Sequence, residues 1–159
     1  MPQIAYLSLG SNLGDRESSL REAISRLSAA GRALSVSSFY ETEPVEFSDQ
    51  PWFLNCALSL ETTQPPEQLL ETALGIEREM GRVRDRNKGP RTIDIDIVLF
   101  GNLIVDSPGL TIPHPAMHRR RFVLAPLAEI APGVQHPTLH KSMRELLAEL
   151  PSGPIVRLR

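Results

Sequence analysis

Residues 53–81 read FLNCALSLETTQPPEQLLETALGIEREMG, and a change of rhythm inside them decides the fold class. Over 53–62, Leu54, Cys56, Leu58 and Leu60 point one way, and Phe53, Asn55, Ala57 and Ser59 the other. This is the two-residue period of a strand. After the proline pair, Leu69, Leu70, Ala73, Ile76 and Met80 recur at helical spacing. Pro65 and Pro66 open the helix, where the first N–H groups have no partner to lose, and Gly81 stops it.

Working outward, QIAYLSL (3–9) reads as a first strand ending at Gly10. GSNLGDR (10–16) is a turn with Asp15 as N-cap. Leu20, Ile24 and Leu27 predict a helix over 16–30, closed by Gly31. LSVSSFYET (34–42) reads as one strand, followed by a polar loop over 43–51. Downstream, RTIDIDIVLFG (91–101) reads as a strand, and 101–104 with 110–112 add a hairpin. Prolines concentrated between 108 and 137 predict a loop-rich stretch, and Leu146, Leu147 and Leu150 a last helix near 140–150. The order β-α-β-β-α-β predicts an α+β fold with the ferredoxin-like core: an antiparallel sheet, two helices on one face, and additional helices.

The 159 residues suffice for one domain with a real core, expected over 1–159. Apolar content of 41% and charged content of 23% exclude a disordered composition. A net charge of −2 supplies no global field for nucleic acid. The single cysteine, Cys56, excludes an internal disulfide and fits a reducing compartment. The opening MPQIAYLSLGSN lacks a basic n-region and reads as a strand, and no run of about 18 apolar residues is present to span a membrane. The expectation is a cytoplasmic monomer with small-molecule partners, no membrane and no nucleic acid.

Within 91–101, alternation puts Ile93, Ile95, Ile97 and Leu99 on one face and Asp94 and Asp96 on the other. The carboxylates stand roughly 6–7 Å apart at Cα, from the rise per residue. Alone, the pair fits either a solvated sheet face or a Mg²⁺ site, since Mg²⁺ takes one or two carboxylates plus substrate phosphates. The flanks favour the second. Arg82, Arg84, Arg86, Lys88 and Arg91 precede the pair, and His114 and His118-Arg119-Arg120-Arg121 come after it. Guanidinium forks beside metal-binding carboxylates are the chemistry of a polyphosphate site. No G-x-x-x-x-G-K-[ST] is present, so such a nucleotide is held by arginines and metals rather than by a P-loop.

GPRTIDIDIVLFG (89–101) closely resembles the signature of the 6-hydroxymethyl-7,8-dihydropterin pyrophosphokinases. LSLGSNLGDR (7–16), SSFYETEPV (37–45), DQPWFLNCAL (49–58), IEREMGRVR (76–84) and LTIPHPAMHRRRFVLAPLAEIAP (110–132) resemble the family's other blocks, in order. The resemblance implies transfer of a pyrophosphoryl group from ATP to the hydroxymethyl oxygen of 6-hydroxymethyl-7,8-dihydropterin, releasing AMP, in folate biosynthesis. It implies two Mg²⁺ ions held by Asp94 and Asp96, with Asp94 near the attacking hydroxyl. It implies catalytic roles for Arg82 and Arg91, and an ATP site of Glu77, Arg84, Arg91, Ile97, Thr111, His114 and Arg120. For the pterin it implies Phe53 and Phe122 as a sandwich and Asn55 on the amide edge. Backbone groups of Thr42, Glu43 and Val45, and Asp94, complete that subsite. The loop at 85–88 is one residue shorter than in some members and lacks their tryptophan. Gly109 and Pro115 stand where some relatives carry a basic residue and a tyrosine.

Two other readings use the same features. An RNA-recognition module shares the element order, but the clustered sheet aromatics of RNP1 are absent. A two-metal nuclease or nucleotidyl transferase shares the carboxylate pair, but gives no role to Phe53, Asn55 and Phe122.

Overall fold

The computed structural model of the protein describes residues 1–43, 51–81, 92–151 and 156–159. In chain order these form β1 (Gln3–Ser11), α1 (Arg16–Leu27), β2 (Arg32–Val36), β3 (Tyr40–Thr42), β4 (Phe53–Thr62) and α2 (Pro66–Glu79). Then come β5 (Asp94–Phe100), the hairpin β6 (Val105–Ser107) and β7 (Leu110–Ile112), and a short 3-10 turn at Met117–Arg119. The chain finishes with α3 (Arg121–Ile130), α4 (Met143–Glu149) and β8 (Val156–Leu158). The main sheet runs β5-β1-β4-β3-β8, with β2 also on β4, and its pairings are antiparallel. This is the ferredoxin-like order expected from the sequence.

The core obeys the alternation. Leu54, Cys56, Leu58 and Leu60 of β4 join Ala5, Leu7 and Leu9 of β1 and Ile95, Ile97 and Phe100 of β5 under α1 and α2. Each fully buried leucine or isoleucine there contributes about 1.5–3 kcal/mol relative to exposure. α1 begins where the Asp15 carboxylate accepts from the Ser18 N–H at 3.1 Å, and it buries Leu20, Ala23 and Leu27. α2 begins at the proline pair, with Pro66 in its first turn.

Several expectations are corrected. Leu99 does not share the face of the isoleucines. Opposite β1, Tyr6 pairs with Leu99 but Leu7 with Ile97, so one extra residue, Val98, enters β5. Such a bulge inverts the alternation beyond it. Phe100 therefore completes the core row, while Val98 and Leu99 turn to the other face. That face is no open, solvated surface. α3 and α4 cover part of it with Val123, Leu124, Leu127, Met143 and Leu146, packed on Ala57, Val98 and Leu99. α3 occupies part of the stretch predicted to be loops and carries Pro126 inside it.

The stretch 34–42 is two strands rather than one. The Ser37 hydroxyl accepts from the Ala57 N–H at 2.8 Å and donates to the Ser38 carbonyl at 2.8 Å. The Ser38 N–H turns to the Glu129 carboxylate of α3 at 3.0 Å. Side chains thus take over backbone partners that a continuous ladder would use. The first hairpin strand lies at 105–107, not 101–104; Gly109, φ +81°, forms its turn.

The first helix stops at Leu27, so Gly31 does not close it. Gly31 serves a close approach: a Cβ there would overlap the Glu61 carbonyl oxygen of β4 and meet Thr62 Cβ at 3.1 Å. Because the obstacle is backbone, Gly31→Ala is expected to destabilise the fold by about 1–3 kcal/mol. Urea unfolding checks this through a lower midpoint at unchanged slope; an unchanged midpoint would count against the close approach.

Candidate active site

Register brings five of the predicted residues, Asp94, Asp96, Asn55, Phe53 and Thr42, onto one face. Asp94 of β5 lies opposite Gly10 of β1, Gly10 opposite Asn55 of β4, and Asn55 opposite Tyr40 of β3. Directly opposed residues share a face, so this row crosses four strands. A second row carries Asp96, Ser8 and Ala57, and Phe53 lies opposite Thr42. This is the face away from α1 and α2, and α3 and α4 cover its Ala57 end. Asp94 and Asp96 are half-buried there.

Asn55 is only 4% exposed, and its amide is oriented from both ends. The Thr42 hydroxyl donates to Oδ1, and Nδ2 donates to the Leu9 carbonyl at 3.3 Å. Among the described residues no partner takes the other Nδ2 hydrogen or the other Oδ1 lone pair, which together are the donor–acceptor pair an amide edge requires. Thr42 thus contributes its side chain, where only its backbone was expected to act. Room for this arrangement comes from Gly10, whose absent Cβ would lie 2.5 Å from Asn55 Nδ2 and 3.4 Å from Phe53 Cδ1.

Glu77, expected at the nucleotide, is 8% exposed on α2. Its carboxylate accepts from the Ile95 N–H at 2.7 Å, on the strand segment between the two aspartates. Ile97 sends its side chain into the core on the opposite face. By the two-residue alternation of the ladder, its N–H and C=O share the outer edge of β5 with the Ile95 N–H.

The segment after β7 returns to β5, where the His114 N–H donates to the Val98 carbonyl at 3.0 Å. Burial, then the Arg120 charge, holds the His114 imidazole below its usual pKa, while the Asp94 carboxylate pulls the other way. His114 Nδ1 accepts from the Ala116 N–H at 3.1 Å, which leaves the proton on Nε2 as a donor. The Arg120 guanidinium lies 5.5 Å from the centre of the Phe122 ring, at cation–π range. Phe122, in the first turn of α3, packs half-buried against the second apolar cluster. Thr111 is exposed on β7, and Glu43 comes directly after β3. Arg82, Arg84, Arg91 and Val45 lie outside the described residues.

Other polar residues around this face carry no sequence signal for a site. Glu129 of α3 accepts from the Tyr40 hydroxyl at 2.7 Å and from Ser38 Oγ at 2.9 Å. Burial alone would raise its pKa, but the bonds from Tyr40 and Ser38 outweigh it and lower it. The Tyr40 phenol is pushed up to about 12 by burial and by the Glu129 hydrogen bond and charge. This network joins α3, which carries Phe122, to β3, which carries Thr42.

The two aspartates also pass a test of fit for Mg²⁺. Their hard oxygen donors sit on alternate residues of one strand, Asp94 opposite Gly10 and Asp96 opposite Ser8. A carboxylate pair that leaves its remaining positions to water and phosphate suits Mg²⁺ better than a structural metal.

Fold and site define an α+β protein of ferredoxin-like order, with an acidic, aromatic-flanked site on the sheet face away from α1 and α2. The sequence profile of the family described as 7,8-dihydro-6-hydroxymethylpterin-pyrophosphokinase (HPPK) matches residues 6–132, and the chain belongs to this family. It is 50% identical over 137 residues to the 2-amino-4-hydroxy-6-hydroxymethyldihydropteridine pyrophosphokinase of Bacillus subtilis, covering 85% of this chain and 82% of that one. Against the protein of the same description from Pseudomonas aeruginosa, identity is 42% over 161 residues, with 99% and 98% covered. It is also 46% identical over 155 residues to the folic acid synthesis protein fol1 of Schizosaccharomyces pombe; the match covers 96% of this chain and only 21% of that protein. The crystal structure of wild-type Plasmodium falciparum HPPK-DHPS with STZ-DHP superimposes with a TM-score of 0.75, at 16% identity. That match covers 94% of this chain and 43% of the other, and is a likeness of fold. Among the described residues, no helix is long and apolar enough to cross a membrane.

Proposed function

We propose that the protein transfers the pyrophosphoryl group of ATP to the hydroxymethyl oxygen of 6-hydroxymethyl-7,8-dihydropterin, releasing AMP, as a step of folate synthesis. The observation that carries this reading is the row Asp94–Gly10–Asn55. It sets a carboxylate for the phosphate side and an oriented amide for the heterocycle on one face, separated by one glycine. The family membership supports the substrates, and the geometry supports their arrangement.

In this reading Phe53 and Phe122 stack on the flat ring, and Asn55 pairs with its amide edge. The hydroxymethyl group then extends along the row toward Asp94. Asp94 and Asp96 would hold Mg²⁺, expected as two ions, which when bound would supply charge to neutralise the triphosphate and polarise the transferred group. His114 through Nε2–H, Arg120 and Thr111 contact ATP, and the outer edge of β5 at Ile97 offers backbone groups to the base. Arg82, Arg84 and Arg91 supply guanidinium groups to the phosphates. A bond forms between the hydroxymethyl oxygen and the β-phosphorus as the bridge to the α-phosphate breaks. The hydroxyl proton is lost and AMP departs.

Incubation with ATP, Mg²⁺ and the hydroxymethyl pterin is expected to give AMP and the pterin diphosphate in equal amounts, read by ion-exchange chromatography. Formation of ADP in place of AMP would overturn the assignment.

A further inference from the structure

Beyond Gly10, the turn GSNLGDR (10–16) has no part in the chemistry above, yet it is built into the back of the site. Arg16, the first residue of α1, forks onto Glu41: Nη1 donates to Oε1 and Nη2 to Oε2, both at 2.8 Å. Nη1 also donates to the Trp52 carbonyl at 3.0 Å. Asn12, 1% exposed, donates from Nδ2 to the Pro51 carbonyl at 3.1 Å. These bonds cross 25, 36 and 39 residues of sequence.

Their targets are the neighbours of substrate-facing residues. Glu41 stands between Tyr40 and Thr42 on β3, and Trp52 immediately precedes Phe53 on β4. By alternation, Glu41 points to the α1 side while Thr42 points to the site. One guanidinium therefore grips, from behind, the end of β3 and the start of β4. Thr42, Asn55 and Phe53 project from the other side of those same strands.

The ion pair also differs from its surroundings in kind. Glu17–Arg21 is a surface pair, with the arginine 67% and the glutamate 45% exposed, and contributes little. Arg16 and Glu41 are only 23% and 17% exposed, and the fork is bidentate with a third bond to backbone. A charge-assisted, partly dry fork fixes direction as well as distance.

We propose that Arg16, anchored by Glu41, is a positioning residue for the heterocycle subsite. It sets the spacing of Thr42 on β3 against Phe53 and Asn55 on β4. This rests on the pterin reading of that subsite. It predicts an effect confined to one substrate, because the proposed ATP contacts at Asp94, Asp96, His114 and Arg120 stand on β5, after β7 and before α3.

The test compares Arg16→Met and Arg16→Lys with the unaltered protein, measuring kcat, both KM values and thermal stability. Arg16→Met is expected to raise the pterin KM about tenfold, with ATP KM and kcat at saturation within about twofold. Lysine keeps the charge on Glu41 but cannot also fork to Trp52, so Arg16→Lys falls between. Pterin KM values within about twofold of the unaltered protein in both variants, or an equal rise in the ATP KM, would overturn the proposal. If Arg16→Met does not fold, Arg16→Lys decides by the same ratio of KM changes. Absence of AMP formation by the unaltered protein would instead count against the pterin reading itself, so the two failures are separable.

Discussion

Replacing Asp94 by asparagine is expected to lower AMP formation by about 10³-fold or more while leaving the fold intact. Asparagine keeps the shape of the side chain, so the backbone pairing of β5 with Gly10 is undisturbed. The substitution removes one of two negative charges on alternate residues of a strand. In the proposed site that charge holds Mg²⁺ and faces the polyphosphate. Asp96→Asn is expected to behave alike, and the double variant to be little worse than either single one, as for groups acting as a unit. The removed charge should also register at His114. The Asp94 carboxylate opposes the lowering of its pKa by burial and Arg120. In Asp94→Asn the imidazole should therefore titrate at lower pH than in the unaltered protein, as NMR would show. Near-normal AMP formation by either single variant would sink the metal role.

Much of this arrangement is legible in the sequence, and the misses have physical reasons. β4 is bounded correctly at 53–62 because its alternation is unbroken and a proline pair marks the start of the helix after it. The aspartates fall on one face because they precede the bulge; Leu99 departs from its expected face because it lies beyond it. An extra residue in a strand of aliphatic residues leaves no mark in composition. α3 escapes sequence reading because prolines at 113, 115 and 126 and the run HRRR outweigh a short apolar pattern. Pro126 is tolerated because it is buried against the sheet with Leu124 and Leu127, so tertiary packing overrides local propensity.

At the site, alternation alone puts Phe53 and Asn55 on a shared face, and family resemblance supplies their ligand. The contacts that orient them leave no trace in the sequence. Arg16 and Glu41 are ordinary charges 25 residues apart, and Glu129 lies 89 residues from Tyr40. Only the folded register makes them neighbours. The covered part of the second sheet face also bears on the alternative of an RNA-recognition module. Such a module needs an open sheet face for stacked bases. Here α3 and α4 occupy the part around Ala57, Val98 and Leu99.

The second large effect concerns the residue between the two halves of the site. Gly10→Ala is expected to weaken pterin binding about 10²-fold, with a stability loss of about 1–3 kcal/mol. The added methyl would stand 2.5 Å from Asn55 Nδ2, so Asn55 must move. In a loose side chain that movement would be cheap. Here the amide is 4% exposed and tied at both ends, to the Thr42 hydroxyl and the Leu9 carbonyl. Displacing it breaks at least one of those bonds and turns its remaining donor and acceptor away from the ligand. Phe53 Cδ1, 3.4 Å from the same methyl, limits escape on that side. Asp94 faces the same glycine from the other strand, but the three atoms nearest the added methyl belong to Asn55 and Phe53. ATP affinity is therefore expected to stay within about twofold. Gly14→Ala serves as a control: its φ of +71° makes it strained, but a Cβ there meets nothing within 4 Å. It is expected to lose about 1 kcal/mol of stability without altering the pterin KM. Fluorescence titration of the pterin against each variant separates the cases. Unchanged pterin affinity in Gly10→Ala would mean that Asn55 does not recognise the ring, and the donor–acceptor assignment along the row would have to be abandoned.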